Sequence, residues 1–494
     1  MPPATDWTAL ARTVRLPAHM WLDGHHSEAA DGNRLPLVSP RDGTALTEVA
    51  CAGNTDVERA VRGARFAFDA GSWPRMQPRE RAAILLRWAD LIEQHREEIA
   101  LLIALEMGKP AQIANDVELG TSISLFRWYA ELADKLFDES PRGRQTALSL
   151  ITREPLGVVA AITPWNFPVT LTSFKIPAAL VAGNCVVLKP ASQSPLSMLR
   201  IAELSSEAGL PPGALQVITG PGGVIGTALA RHQGVDLITF TGSPEVGADL
   251  LRSSAESNLK PVALELGGKS PNIIFDDVED IDAAIATAAW AISFNSGQMC
   301  TAGSRLLIQR GVYDTVVDGV AQRLSELPHG DPLDIDTVMG PLATHRQRES
   351  VIAHIERGTH GSSTLVTGAP EPAPGPGWFL RPAVFADVDP DDALAQEEIF
   401  GPVLAIIPFE GDDDAVGIAN NSRYALGASV WTSDLKRAHR MSRDIVAGTV
   451  WVNCYEEGDQ AVPFGGRKLS GHGTDKGVHG LEKFTALKTT WINL

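Results

Sequence analysis

The sequence predicts an α/β fold organised around parallel sheet, and three observations point there. Four short runs, "PLGVVAAITPW", "GNCVVLKPAS", "VDLITFTGS" and "PVALELGGK", are rich in β-branched and aliphatic residues and end in proline or glycine. They lack the alternating polar positions of a half-solvated strand, so both faces must be covered, as in a parallel sheet between helical layers. Segments with apolar residues at helical spacing separate the runs. The chain, at 494 residues, is also long enough for two or three domains with a large buried core.

The first third is expected to be largely helical. "RAAILLRWADLIEQHREEIALLIALEMGKP" places Ile84, Leu85, Trp88, Leu91, Ile92, Ile99, Leu102 and Ile103 at helical spacing, and Gly108 and Pro110 supply the stop. These stripes are core. From residue 154 the four strand-like runs begin. The helix "SPLSMLRIAELSSEAGL" carries Pro195 in its first turn and stops before Pro211-Pro212-Gly213. Open parallel sheets bind ligands beyond the carboxyl ends of their strands, which selects "TPWNFP", "KPAS" and "TGSPEVG" as the loops that matter. A second α/β stretch runs from about 268 to 468, interrupted by "GAPEPAPGPGW" (368–378), an exposed loop or turn without chemistry. "QTALSLITR" and "FTALKTTWINL" show partial alternation and are either edge strands or arms able to join a neighbour's sheet.

Composition sets limits on function. The chain is 44% hydrophobic and 21% charged, as ordinary soluble globular proteins are. Its formal charge of −18, from 60 acidic and 42 basic residues, repels phosphate backbones, so no nucleic-acid partner is expected. Cys51, Cys185, Cys300 and Cys454 lie far apart without metal-ligand spacing, so neither a metal nor a disulfide is expected. The N-terminus lacks an apolar signal region, and the longest apolar run, Ala283 to Phe294, is too short to span a bilayer. A soluble, cytoplasmic protein without membrane partners is the expectation.

Within "FNSGQMCTAG", Cys300 sits among small and polar residues where a core cysteine would sit among branched aliphatics. Taken alone this is chance. "GSPEVG" offers only Gly242 and Gly247, consistent with a plain β-α turn or with a helix N-terminus facing phosphate.

The ordered set is more specific than its parts. "PWNFP" (164–168), "LKPAS" (188–192), "FTGSPEVG" (240–247), "LELGGKSP" (264–271), "GQMCTAG" (297–303), "EEIFGPV" (397–403) and "PFGG" (463–466) together resemble the NAD(P)-dependent aldehyde dehydrogenase superfamily over nearly the whole chain. The resemblance implies a Rossmann-like cofactor domain (1–132 and 156–267), an α/β catalytic domain (268–468) and a small β arm (133–155 and 481–494) for a homo-oligomer, dimer or tetramer.

The resemblance also implies roles, and the chemistry agrees with them. Cys300 matches the nucleophile, whose thiohemiacetal expels hydride to a nicotinamide; small neighbours Gly297, Ala302 and Gly303 would leave room for substrate around an exposed sulfur. Asn166 matches the side-chain donor to the oxyanion, partnered by the Cys300 N–H. Glu265 matches the general base that activates water against the thioester. Relatives that transfer the acyl group to coenzyme A lack this glutamate, so free acid is the expected product. Lys175 matches a supporting lysine. Glu398 and Phe400 match contacts to the nicotinamide ribose and ring, Trp165, Gly242 and Ser243 line the pyrophosphate, and Lys189 reaches the adenosine ribose. The cofactor set extends to Ile162, Thr163, Pro164, Gly222, Gly226, Phe240, Thr241, Leu266 and Gly267. Ser192 stands where many NAD-preferring relatives carry a glutamate, which implies that NADP is accepted, alone or beside NAD.

The C-terminal block resembles most the bacterial branch acting on ω-aminoaldehydes of polyamine breakdown. Phe167 and Phe464 match the substrate tunnel, Trp128 and Tyr455 would add aromatic walls, and Glu456, Glu457 and Asp459 would favour an ammonium-bearing aldehyde or form a solvated acidic loop. Two departures matter: Arg467 stands where relatives carry an aromatic residue, and Thr474 where they carry arginine. "KPAS" also resembles NADP-linked succinate-semialdehyde dehydrogenases, for which Arg467 would bind the substrate carboxylate. From another class, a cysteine hydrolase or acyltransferase would use Cys300 with a histidine and no nicotinamide.

Overall fold

In the computed structural model, which describes residues 5–494, the four runs form the expected strands Val158–Ile162, Cys185–Lys189, Leu237–Thr241 and Val262–Glu265. All are buried but for half-buried Ala263, which is why their sequences show no polar alternation. With Leu215–Val217 they make a parallel sheet in the order Val262–Glu265, Leu237–Thr241, Val158–Ile162, Cys185–Lys189, Leu215–Val217. Chain order reverses at Val158–Ile162: one neighbour follows it directly and the other comes later. That reversal opens a crevice at the strand's carboxyl end, where Thr163 to Pro168 emerge.

Leu266 to Ser270 carry the chain from this sheet into a second one. There Pro271–Ile274, Arg305–Gln309, Val403–Phe409, Ala383–Ala386, Gly427–Trp431 and Thr449–Val452 are parallel, and Thr364–Thr367 closes one edge antiparallel. Separate apolar clusters pack the faces of each sheet. Arg305, buried, donates to the carbonyls of Lys269, Ile418 and Ala419, which pins the crossover to the second sheet.

Four expectations need correction. The first third is helical at Trp7–Ala11 and again after residue 53, with residues 20–50 forming four short strands between. Met20–Leu22 and His25–Ser27 are joined by Asp23 and Gly24, both at positive φ, a tight hairpin that extends the first sheet. Strands of three residues leave no periodicity to read. The long helical stretch is two helices, Pro78–Gln94 and Arg96–Met107, meeting at His95; Gly108, at φ 84°, ends the second. The proline-rich loop 368–378 is not wholly exposed: the Trp378 N–H donates to the Pro40 carbonyl, and Ala373 and Gly377 are buried. Pro195 stands one residue ahead of the helix Leu196–Glu207.

The two alternating segments pair with each other. Ala147–Pro155 and Thr485–Asn493 form an antiparallel ribbon apart from both sheets, with Leu487 and Trp491 largely exposed on it. Among the described residues, no helix is long and apolar enough to cross a membrane, and no group of three or more His, Cys, Asp or Glu is placed to hold a metal ion.

Candidate active site

The alanine-rich helix Ile281–Ser293 delivers the chain to Cys300 through a turn in which Asn295, Ser296 and Gly297 all have positive φ. Such a run is unfavourable for side-chain-bearing residues and persists only when its surroundings hold it. Here the polar side chains do that. Asn295 Nδ2 donates to the Asn166 carbonyl at 2.9 Å, Ser296 Oγ to the Gly340 carbonyl, and Gln298 Nε2 to the Asn295 carbonyl. The composition around Cys300 therefore builds a left-handed loop, which corrects the expectation that small neighbours make room for substrate. A β-carbon on Gly297 would collide with the Gly401 carbonyl, and Gly303 packs against Ala291 and Tyr455.

Asn166 reaches the same loop from the switch-point strand: its Nδ2 donates to the Gln298 carbonyl at 2.9 Å. That uses one of two amide hydrogens and leaves the other for a ligand. Its carbonyl also accepts from Lys109 Nζ, a buried lysine paired with buried Glu118 and set 3.7 Å above the Phe167 ring. Glu118 accepts the N–H groups of Val169 and Thr170 from the widened helical turn Ala114–Leu119. Neither Lys109 nor Glu118 is signalled by any sequence motif.

Two clefts converge on Cys300. One, of about 240 Å³, is lined by Pro164, Trp165, Asn166, Thr241, Gly242, Ser243, Leu266, Gly267, Glu398 and Phe400. The other, of about 310 Å³, has aromatic walls from Phe167, Phe174, Trp290, Phe294, Trp451 and Phe464 and an acidic rim. Besides the thiol, only Leu171 faces both. Burial, then the charges of Glu456, Glu398 and Glu265, push the Cys300 thiol well above its ordinary range. The sulfur is only partly exposed, and its surroundings favour a thiol at rest, not the exposed thiolate expected from composition. An acceptor for its proton is needed.

Glu265 does not line either cleft. Its carboxylate lies against Gly465 and Gly473, where missing β-carbons leave it a seat, and neither oxygen has a hydrogen-bond partner. Burial first, and then Asp475, raise its carboxyl to about 8, while Lys175 and Lys483 pull the other way. Lys175 Nζ donates to Asp475 Oδ2 at 2.7 Å, Lys483 pairs with the other oxygen, and both partners of the Lys175 bridge are buried. Asp475 was missed by the sequence reading: an aspartate among the glycines and lysines of "GHGTDKG" carries no pattern of its own.

The first cleft has the features of a dinucleotide site. Lys189 is buried with no acidic partner, its Nζ close to Gly222 at the start of the helix Gly222–Arg231, and burial lowers its ammonium to about 8. An unpaired cation at a helix N-terminus suits a phosphate or ribose. Thr241 Oγ1 is buried without a partner on the wall. Ser243 begins the helix Pro244–Ala255. Trp165 and Phe400 meet edge to face at 5.4 Å, and Gln347 Nε2 fixes Phe400 by donating to its carbonyl and that of Ile399. Glu398 Oε1 accepts the Gly268 N–H at 2.9 Å, and burial raises its carboxyl to about 7. Gln347, like Lys109, Glu118 and Asp475, has no sequence signal.

Other expected positions lie off the cleft walls. Phe240 is buried under Gly242, the Thr163 hydroxyl accepts from Thr172, and Ile162 ends its strand beside Gly226. Ser192 Oγ donates to the Gly220 carbonyl at 2.8 Å, so its proton is engaged and Lys189 is the free cation beside it. In the second cleft Phe167, Phe464, Glu456 and Glu457 are on the wall, but Trp128, Tyr455 and Asp459 are not. Trp128 packs edge-on against Tyr129; Tyr455 is buried behind Cys300, donating to the Thr301 carbonyl and stacking on Trp451. The aromatic walls come instead from Trp290, Phe294 and Trp451. Arg467 is exposed in a short strand paired with Tyr424–Ala425 and faces neither cleft.

The aldehyde dehydrogenase family model matches residues 26–490. The NADP/NAD-dependent aldehyde dehydrogenase PuuC of Escherichia coli is 44% identical, across 99% of this chain and 98% of its own length. The crystal structure of a gamma-glutamyl-gamma-aminobutyraldehyde dehydrogenase from Burkholderia cenocepacia superposes with a TM-score of 0.97 at 46% identity, covering 99% of each chain. That of an indole-3-acetaldehyde dehydrogenase with NAD+ gives 0.98 at 44% identity, again over 99% of each.

Proposed function

The chain belongs to the aldehyde dehydrogenase family, and on that premise we propose that it oxidises an ammonium-bearing aldehyde to the free acid at Cys300, with NAD or NADP. The observation that carries this is the thiol at the meeting point of a dinucleotide-type cleft and an aromatic, acid-rimmed cleft. Lys189, Thr241, Ser243, Trp165, Phe400 and Glu398 would hold the dinucleotide, whose nicotinamide would supply a hydride acceptor.

The Cys300 thiol gives its proton through water to ionised Glu265, which releases it to solvent, as Sγ adds to the aldehyde carbon and makes a thiohemiacetal oxyanion. The free Asn166 amide hydrogen and the Cys300 N–H steady the oxyanion, a contribution worth about 100- to 1,000-fold in rate for one such donor. Loss of hydride leaves a thioester on the sulfur. Glu265 then takes a proton from water, which attacks the thioester and frees the acid and the thiol. Because its resting carboxylate makes no hydrogen bonds, Glu265 loses none in turning toward Cys300. A carboxyl near 8 is a competent base at neutral pH. Lys175 and Lys483 favour its charge electrostatically, and Asp475 opposes it.

Glu456 and Glu457 on the second cleft, above aromatic walls, favour a cationic substrate. Arg467 lies off both clefts, which removes the argument for a simple semialdehyde. Acceptance of NADP rests on Ser192 in place of a carboxylate and on unpaired Lys189. The exposed ribbon Ala147–Pro155 with Thr485–Asn493 is the edge for association with further copies of the chain.

The test is absorbance at 340 nm on mixing enzyme, NAD or NADP and 4-aminobutanal. Wild type produces reduced cofactor and folded Cys300→Ala does not. Undiminished oxidation by that variant removes the mechanism; a wild type that reduces neither cofactor with any aldehyde removes the activity.

A further inference from the structure

Lys109 and Glu118 are a fully buried ion pair at the seam between the two clefts. The loop that follows Val158–Ile162 is the partition: Pro164, Trp165 and Asn166 line the dinucleotide-type cleft, while Phe167 and Thr170 line the aromatic one. The peptide joining Asn166 to Phe167 is therefore where one cleft ends and the other begins. Its carbonyl, that of Asn166, takes two donors, Lys109 Nζ at 3.1 Å and Asn295 Nδ2 at 2.9 Å, which uses both of its lone pairs. Lys109 Nζ also stands over the Phe167 ring, so one ammonium touches both sides of the seam.

Glu118 holds the far end of the same loop. Its Oε1 accepts the N–H groups of Val169 at 2.9 Å and Thr170 at 3.3 Å, donors that the short helix Thr170–Ser173 cannot satisfy itself, and its carbonyl accepts the Thr170 hydroxyl. Its Oε2 pairs with Lys109. The widened turn Ala114–Leu119 carries Glu118, and such turns are rare in helices and concentrate at functional sites. Stability is a weak reason to bury this pair, because exchanging a buried ion pair for apolar groups of similar volume is often neutral or stabilising. Fixed direction is what charge-assisted hydrogen bonds add.

We infer that Lys109 and Glu118 are positioning residues for the oxyanion: they fix the 166–167 peptide and the loop behind it, and so hold the free Asn166 amide hydrogen where the alkoxide forms beside Cys300. This rests on the dehydrogenase reading of the site. Neither residue touches the reacting atoms. The Asn166 side chain has its own anchor on the Gln298 carbonyl, but that carbonyl belongs to the cysteine loop. Asn166 is thus held from two directions, by the cysteine loop through Gln298 and Asn295 and by the helical wall through Lys109.

The experiment measures the first-turnover rate of cofactor reduction, and its half-saturating hexanal concentration, in wild type, Lys109→Met, Lys109→Met with Glu118→Gln, Asn166→Ala and the triple variant. The double variant removes the charge that Lys109→Met alone leaves buried without a partner, and its glutamine oxygen can still accept the Val169 and Thr170 N–H groups. Circular dichroism and a thermal melt establish folding. The folded double variant is expected to lose about 10- to 100-fold in first-turnover rate, the range for a donor displaced by up to about 1 Å, with half-saturation within about threefold of wild type. With Asn166 already alanine, the same two changes are expected to cost less than about twofold, because residues that act only through Asn166 then have nothing to position. An undiminished rate in the folded double variant, a loss carried by half-saturation, or a loss of equal size in the Asn166→Ala background overturns the proposal. Wild-type turnover of hexanal keeps each of these results distinct from failure of the dehydrogenase activity.

Discussion

Gly268 is where a single methyl group should report on the geometry of the sulfur. It lies in the crossover between the sheets, and a β-carbon there would sit more than 1 Å inside the 3.4 Å at which ordinary contact with the Cys300 carbonyl oxygen begins. The backbone dihedral at Gly268 is not the obstacle; the space is. Gly268→Ala therefore pushes the Cys300 peptide back by about 1 Å, moving both the sulfur and the N–H proposed to meet the oxyanion. A misplacement of that size costs about 100-fold in rate, with about 1–3 kcal/mol of overpacking beside it. The assay is kcat and KM for hexanal by reduced-cofactor absorbance, with circular dichroism and a thermal melt to establish that the variant is folded. The expected loss falls on kcat more than on KM. A folded Gly268→Ala enzyme with kcat within about twofold of wild type would refute the argument that this contact positions the nucleophile.

Glu265→Gln should give one burst of reduced cofactor and then stall, with steady turnover down at least about 100-fold; sustained wild-type turnover would remove Glu265 from its role. Because its carboxyl is raised to about 8, it is protonated below that pH and ionised above it, so the hydrolytic step should accelerate as pH rises through 8. Asp475→Asn deletes a negative charge that raises Glu265 and so should move this limb to lower pH, whereas Lys175→Met deletes a positive charge that lowers it and should move the limb up; shifts in the same direction would contradict the arrangement. Ser192→Glu, placed beside Lys189, should lower kcat/KM for NADP relative to NAD by about tenfold or more, and an unchanged ratio would show that this position does not sense the 2′-phosphate.

Much of the fold was legible because burial leaves a mark on composition. The four strands Val158–Ile162, Cys185–Lys189, Leu237–Thr241 and Val262–Glu265 were found from unbroken apolar runs, and the loops beyond them, with Trp165, Asn166, Gly242 and Ser243, do line a cleft. The hairpin at Asp23-Gly24 escaped because strands of three residues are too short to show a period, although the Asp-Gly pair itself was a usable signal. Trp128 and Tyr455 were misplaced for another reason: an aromatic residue near a motif has the same letter whether it lines a cleft or supports the wall behind it.

From the sequence alone came the parallel α/β architecture and the membership of Cys300, Asn166, Glu265 and Glu398 in one ordered set. Both are properties of local pattern, of which residues sit together along the chain and how polarity repeats. Tertiary structure decided the rest. It set Asp475 against Lys175, 300 positions away, placed Gln347 behind Phe400, and seated Glu265 off both clefts. Those outcomes depend on distances and solvation between segments remote in sequence, and a packed interior fixes these through volume and charge that no local pattern records.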